Sequence, residues 1–246
     1  NDRGALVPGR RADCCVLEGE ARLGGEKGFK NGKIAQVPKP RSAPCIHHTM
    51  KCTRLPPDAL DISGSGRARV IGIVPNQILT ESLEFEVEGR DIPDPDRDII
   101  KAVVCSRYVD GSSGNGLVHG FGLRKGAIAS SVSHDSHNIV AIGVDDADIR
   151  RAVDAIIQKE GGMVAVHGDE MVLLPLACAG LMSELPYDEV YEKISALNSC
   201  AREWGSIPEP FMYLSFLALT VIPHLRITNR GLFDVGSFGD VPLFIP

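Results

Sequence analysis

The pattern of apolar and polar residues predicts strands across the middle of the chain. Residues 69–74 form an apolar run, and residues 81–87 alternate apolar and polar positions with a period of two. Such alternation is typical of a strand with one buried face. A Pro-Asn turn lies between the two segments. Four further segments have strand-like composition: 99–108, 117–123, 127–133 and 138–144.

Two helices are predicted after these strands. Asp145 or Asp146 can cap the first helix by accepting a free backbone N–H. Apolar residues then recur at helical spacing, and Gly161-Gly162 is expected to end the helix. The second helix is predicted over residues 187–204, with Ser183 as a plausible N-cap. Between the helices, 163–166 and 171–174 flank a turn and predict a hairpin; 212–222 fits either a buried strand or a short helix.

The start of the chain predicts a separate small β unit. Residues 14–17 read as a strand, and Asn31-Gly32 is a typical hairpin turn. Five prolines between residues 38 and 57 then indicate a linker. We therefore predict an α+β fold: a small β unit and Pro-rich linker over 1–60, and a largely antiparallel sheet domain with two main helices over 61–246.

Composition excludes several classes of function. The chain of 246 residues is 43% hydrophobic and 24% charged. Its net charge of −6 gives no excess of basic residues of the kind that binds nucleic acid. No apolar run reaches the roughly 18 residues of a membrane span. The seven cysteines contain no Cys-x-x-Cys pair, which predicts reduced thiols and argues against a cysteine-based zinc site. Because the chain begins at Asn1 rather than Met, we expect a piece of a longer polypeptide.

The richest set of reactive side chains lies in residues 130–138, between two apolar segments. It holds two imidazoles, a carboxylate, an amide and four hydroxyls. Since both flanks are strand-like, we expect a strand-to-strand connection in which Asp135 can orient a neighbouring imidazole. One interpretation makes His134 and His137 a metal-ligand or substrate-contacting pair. The other is a hydrogen-bonded turn in which Asp135 and Asn138 satisfy backbone N–H groups.

A complete metal site needs three or four ligands, so His119 or Glu184 would have to join the pair. His119 precedes Gly120-Phe121-Gly122, which predicts a pocket wall or a tight bend between strands, and we favour the bend. Glu184 suits the positive end of the second helix. The His47-His48 pair lies in the Pro-rich linker and is expected to be solvated.

Common catalytic motifs are absent from the sequence. No G-x-G-x-x-G follows a strand, and there is no phosphate-binding G-x-x-x-x-G-K-[ST]. The nucleophile motif G-x-S-x-G and the cytidine-deaminase pattern H-x-E with P-C-x-x-C are also missing. The sequence motifs therefore assign no catalytic residue to this chain.

Several segments together resemble one family. Residues 4–17 are similar to the segment by which amidohydrolases leave their metal-dependent barrel, and 29–34 resemble the strand that follows. The remaining matches resemble the C-terminal region of bacterial-type adenine deaminase: 94–99, 120–123, 125–132, 134–138, 179–183, 210–212, 214–219 and 241–244. The similarity covers the chain from about residue 3 to its end.

The resemblance implies a hydrolase of purine metabolism that converts adenine and water to hypoxanthine and ammonia. It implies a divalent metal (manganese, iron or zinc) in the whole enzyme, held by a barrel that this chain lacks, so the chain alone is expected to be inactive. The implied partners are the barrel, adenine and further copies of the protein, in the cytoplasm, without nucleic acid or membrane. An alternative is a structural or oligomerisation domain with no direct catalytic role.

Within the resemblance, the residues expected near the substrate lie in or beside the 130–138 run. Two of them, His134 and His137, are also the candidate metal ligands. The full set of accessory residues is Ser131, His134, Asp135, His137, Asn138 and His119.

Overall fold

The computed structural model describes residues 2–17, 25–35, 44–52, 54–88, 92–108 and 111–246. The chain divides into two compact units, Asn1–Pro44 and Cys45–Pro246. The sequence pattern groups residues 45–60 with the first unit, whereas in the structure they belong to the second. The physical reason is that Leu55 and Leu60 are buried in the core of the second unit.

The first unit contains a three-stranded antiparallel sheet. Its strands are β1 (Cys14–Leu17), β2 (Gly25–Lys30) and β3 (Lys33–Ile34), in that order. Asn31 and Gly32 join the last two with positive φ angles of 52° and 73°, which confirms the predicted Asn-Gly hairpin.

An eight-stranded sheet forms the centre of the second unit. Its strands in chain order are β4 (Ser65–Ile73), β5 (Thr80–Glu88), β6 (Ile99–Cys105), β7 (Ser113–His119), β8 (Ala127–Ser130), β9 (Ile139–Gly143), β10 (Gly162–His167) and β11 (Glu170–Pro175). Their order across the sheet is β11-β10-β8-β9-β6-β7-β4-β5. Neighbouring strands run antiparallel except β4 and β7, which are parallel. The largely antiparallel sheet predicted from the sequence is therefore confirmed.

Three helices accompany this sheet: α1 (Asp146–Gln158), α2 (Tyr187–Glu203) and α3 (Pro210–Phe216). Asp145 caps α1 as predicted, since its Oδ1 accepts a hydrogen bond from the Asp148 N–H at 3.0 Å. Ser183 does not cap α2, because Pro186 occupies that position and the Ser183 hydroxyl accepts from the Leu185 N–H instead. No helix in the described ranges has the length and apolar character needed to cross a bilayer.

Both faces of the eight-stranded sheet are covered. On β8, Ile128 packs in a cluster with residues of α2 and α3, while Ala127 and Ala129 pack in a second cluster with α1. Strand β6 is buried along its whole length, which explains why residues 99–105 read as an almost continuous apolar run. A small sheet of β12 (Leu225–Thr228), β13 (Gly231–Asp234) and β14 (Gly239–Asp240) packs near β7.

Two further features differ from the sequence predictions. The strand predicted over 117–123 ends at His119, because Gly120 and Gly122 have positive φ angles and donate their N–H groups to the Asp98 carboxylate at 3.0 and 2.8 Å. The favoured tight bend is thus correct. The prediction of reduced thiols is wrong for Cys45 and Cys178, which form a disulfide across 133 residues of sequence.

Candidate functional site

The polar run joins the two strands β8 and β9. These strands pair directly, with Ser130 opposite Val140, so residues 131–138 form the connection between them. We call this segment the histidine turn. Its backbone is fixed from within and from outside, since the His137 N–H donates to Ser133 O at 2.7 Å and the His134 N–H donates to Ser215 O at 2.9 Å. The predicted strand-to-strand connection is confirmed.

The side chains of Ser131 and Asn138 both form hydrogen bonds with backbone groups. The fully buried Ser131 hydroxyl donates to Gly180 O at 2.6 Å and accepts from the Gly162 N–H at 2.8 Å. Asn138 accepts a hydrogen bond from the Arg107 N–H at 3.2 Å. Asn138 thus satisfies a backbone N–H, as the hydrogen-bonded interpretation predicts, although that of a residue distant in sequence; Ser131, which that interpretation did not include, also satisfies backbone groups.

Arg107 is the residue that ties the turn to its surroundings. It is only 5% exposed, and its Nη2 donates to Thr49 Oγ1 at 2.5 Å and to Ala179 O at 2.6 Å. Its Nη1 reaches His137 O at 3.4 Å. Burial lowers the pKa of this guanidinium. Arg107 was not among the predicted site residues, although an arginine two positions after the buried strand β6 is a usable signal of a buried cation.

His137 presents an imidazole with unused hydrogen-bonding capacity. Its Nδ1 is buried without a partner in the described part of the chain, and so is the hydroxyl of Ser133. Burial lowers the pKa of His137, and the nearby His134 and Arg107 lower it further against the opposing effect of Asp135. The ring is therefore held in its neutral form near pH 7, in which one nitrogen can accept a hydrogen bond.

His134 lines a cavity of about 300 Å³. Its ring packs on Phe216 with centroids 4.8 Å apart and lies 5.9 Å from the His137 ring. Asn198, from α2, lines the same cavity, and its Oδ1 is buried without a partner among the described residues. Glu209 adds a carboxylate to the wall. Because the Asn198 oxygen is inaccessible to solvent, the ionisable side chains of the cavity wall are those of His134 and Glu209, and the rest of the lining is mainly apolar.

A larger cavity of about 730 Å³ shares Glu209 and Met212 with the first one. Its walls are mainly apolar side chains from residues 73–80 and from α3, and Arg226 lies at its edge. The Arg226 side chain already donates to four backbone carbonyls. Because its donors are used within the fold, we regard Arg226 as structural.

The remaining predicted site residues lie apart from this arrangement. Asp135 is exposed and makes no side-chain hydrogen bond in the described part of the chain, so it does not orient either imidazole. His119 lies on β7, where its ring packs against Phe85 at 5.1 Å. Among the described residues, no group of three or more potential metal ligands includes His119, His134 or His137. The metal role of the pair stays a prediction that lacks a third ligand.

The two histidines of the Pro-rich linker, His47 and His48, contact carboxylates rather than being only solvated as predicted. His47 lies 3.7 Å from a Glu184 oxygen, and the His48 N–H donates to Glu160 at 3.0 Å. His48 also contacts Glu160 through its ring. Glu184 therefore meets His47 rather than the histidine turn.

Comparisons with known proteins agree on one family. A family model described as the adenine deaminase C-terminal domain matches residues 77–239. A relative named adenine deaminase from Methanoculleus marisnigri is 55% identical over 245 residues, which are 99% of this chain and 47% of the relative. Another from Methanoregula boonei is 51% identical over 99% of this chain and 44% of the relative. One from Brucella anthropi is 42% identical over 98% of this chain and 45% of the relative. The chain spans less than half the length of these relatives, and it belongs to the adenine deaminase C-terminal domain family.

Proposed function

We propose that this chain is the C-terminal part of an adenine deaminase. The reaction adds the oxygen of water to the purine carbon that carries the amino group and releases that group as ammonia, giving hypoxanthine. The observation that supports the proposal is the match of 98–99% of this chain to proteins that bear this name. The first unit, residues 1–44, would complete a small β domain shared with the preceding part, and the whole protein would be a cytoplasmic homo-oligomer.

The divalent metal of such an enzyme (manganese, iron or zinc) would supply the activated water. The histidine turn does not fit a complete site for that metal, because two imidazoles fall short of three or four ligands and no third ligand joins them among the described residues. We therefore assign the metal to the barrel that precedes this region in amidohydrolases, and we expect the chain alone to release no ammonia from adenine.

Within the whole enzyme, we assign the histidine turn an accessory role near the substrate. The support is the buried Nδ1 of His137, which has no partner among the described residues, and the His134 ring, which lines a cavity. A neutral imidazole such as that of His137 has one nitrogen that accepts and one that donates a hydrogen bond, and the edge of a purine offers partners for both.

A chimera provides the test. The matching segment of the Methanoculleus marisnigri relative is replaced by this chain, and ammonia release from adenine is measured. We expect activity from the chimera, and a lower kcat/KM at unchanged melting temperature for His134→Ala or His137→Ala. His224→Ala is the control, because His224 is an exposed histidine that lies outside the turn. Wild-type kinetics in both turn variants would refute the accessory role. An inactive chimera would instead count against the deaminase proposal itself.

The alternative function is structural. It is supported by the way in which Arg107 and Ser131 join the turn to segments around Thr49 and Gly180. In that case the same variants lose stability or assembly while activity per folded molecule is kept. Size-exclusion chromatography and thermal melts of the variants distinguish this outcome from the accessory role.

A further inference from the structure

A second group of metal-capable side chains lies where residues 45–47 meet the loop 178–184. Ligand atoms of Cys45, His47 and Glu184 all lie within 4.8 Å of one another. Cys178 is bonded through its sulfur to Cys45, so a second sulfur adjoins one member of this group of three. We call these residues the four-donor cluster. The two sulfurs come from segments far apart in sequence, so no Cys-x-x-Cys spacing marks the group.

The backbone holds the two segments together independently of the disulfide. The Ala179 N–H donates to Ile46 O at 2.6 Å. Cys178 and Met182 pair through two backbone hydrogen bonds of 3.1 and 3.0 Å, which closes the loop that carries one sulfur. Arg107 fixes the same loop from inside through Ala179 O at 2.6 Å. Because these contacts do not use the sulfurs, the donors are expected to stay close after reduction.

The chemistry of the donors is that of a zinc site. Two thiolates, one neutral imidazole and one carboxylate are the ligand types that tetrahedral zinc prefers. A disulfide by itself needs neither an imidazole nor a carboxylate beside it. The side chains of His47 and Glu184 are 39% and 57% exposed, so an ion can reach the cluster from solvent. The guanidinium of Arg107, which contacts the neighbouring Ala179, offsets part of the surplus negative charge.

We propose that the four-donor cluster binds one zinc ion when its disulfide is reduced. A dithiol reductant breaks the S–S bond, gives two electrons and two protons to the sulfurs, and becomes a disulfide itself. Zinc then replaces both thiol protons, which pass to solvent. The disulfide and the zinc site are thus mutually exclusive states of the same two sulfurs. This proposal does not depend on the deaminase proposal.

Metal binding by the full chain tests the proposal. The protein is reduced, freed of metal with a chelator and dialysed against zinc, and zinc per chain is measured together with circular dichroism. We expect about one zinc in the reduced chain and none in the oxidised chain. Cobalt in place of zinc is expected to give thiolate-to-cobalt charge-transfer absorption. Cys45→Ser and Cys178→Ser are each expected to weaken zinc affinity by about tenfold or more.

Two further variants keep the test decisive. Cys200→Ser is the matched control, because Cys200 is a free cysteine of similar partial exposure and should leave zinc binding unchanged. His47→Ala removes an exposed ligand with little risk to folding and should also weaken binding about tenfold or more. Absence of zinc from the reduced chain, or equal affinity in the wild type, Cys178→Ser and His47→Ala, would overturn the proposal.

Discussion

Replacement of Ser131 by alanine is the most direct test of how the histidine turn is held. The hydroxyl is fully buried and takes part in two short hydrogen bonds, as a donor to Gly180 O at 2.6 Å and as an acceptor from the Gly162 N–H at 2.8 Å. Alanine is close in size, so the main effect is the loss of these bonds. Each loss costs about 1 kcal/mol, and a buried group left unpaired costs about 1–3 kcal/mol. We expect Ser131→Ala to lower the free energy of unfolding by about 2–3 kcal/mol.

Urea unfolding followed by tryptophan fluorescence measures this change. Trp204 is the single tryptophan of the sequence and is 4% exposed, so its emission reports on the second unit. The midpoint should fall at an unchanged dependence on urea. Ser136→Ala is the control, because Ser136 is exposed and accepts only a 3.4 Å bond from the Asn138 N–H, so its effect should stay below about 0.5 kcal/mol. Equal losses in the two variants would refute the assigned role of Ser131.

Three further predictions concern the cap of α1, the loop beside Arg107 and the imidazole of the turn. Asp145→Ala should lower the free energy of unfolding by about 1 kcal/mol in the same assay. An unchanged free energy of unfolding would contradict the role of Asp145 as the helix cap. Gly180→Ala should lower the free energy of unfolding more than Gly168→Ala does. Both positions have positive φ, but only at Gly180 would the new Cβ come within 2.6 Å of Arg107 Nη2. Because burial lowers the pKa of His137, the midpoint of its titration measured by NMR should lie below 6.5. The contribution of His137 to stability is then full above pH 6.5 and falls as the pH drops toward the folded-state pKa. A midpoint at or above 6.5 would contradict the burial argument.

Local patterns predicted the elements whose signals lie within a few residues. The alternation over 81–87 anticipated β5, and the acidic cap followed by apolar residues at helical spacing anticipated α1. The Asn31-Gly32 pair likewise fixed a hairpin whose geometry depends on those two residues alone. Such elements are predictable because their cause is short-range.

Long-range contacts explain most of what the sequence did not predict. Gly120 and Gly122 end β7 because they bind a carboxylate more than 20 residues earlier, at Asp98. Arg107 bonds to partners 30 to 72 residues away, so its position after β6 could indicate burial but not which groups it contacts. The pairing of Cys45 with Cys178 spans 133 residues and has the same origin.

The place of the histidine turn in the sheet has a consequence for amide hydrogen exchange. Its flanking strands β8 and β9 are adjacent interior strands of the eight, and both are fully buried. The Ser131 and His134 amides are bonded outside the turn, to Gly162 O and Ser215 O. Opening the turn therefore requires disruption of the packed interior, and these amides should exchange at rates close to those of global unfolding. The histidine turn is therefore a preformed surface rather than a mobile lid.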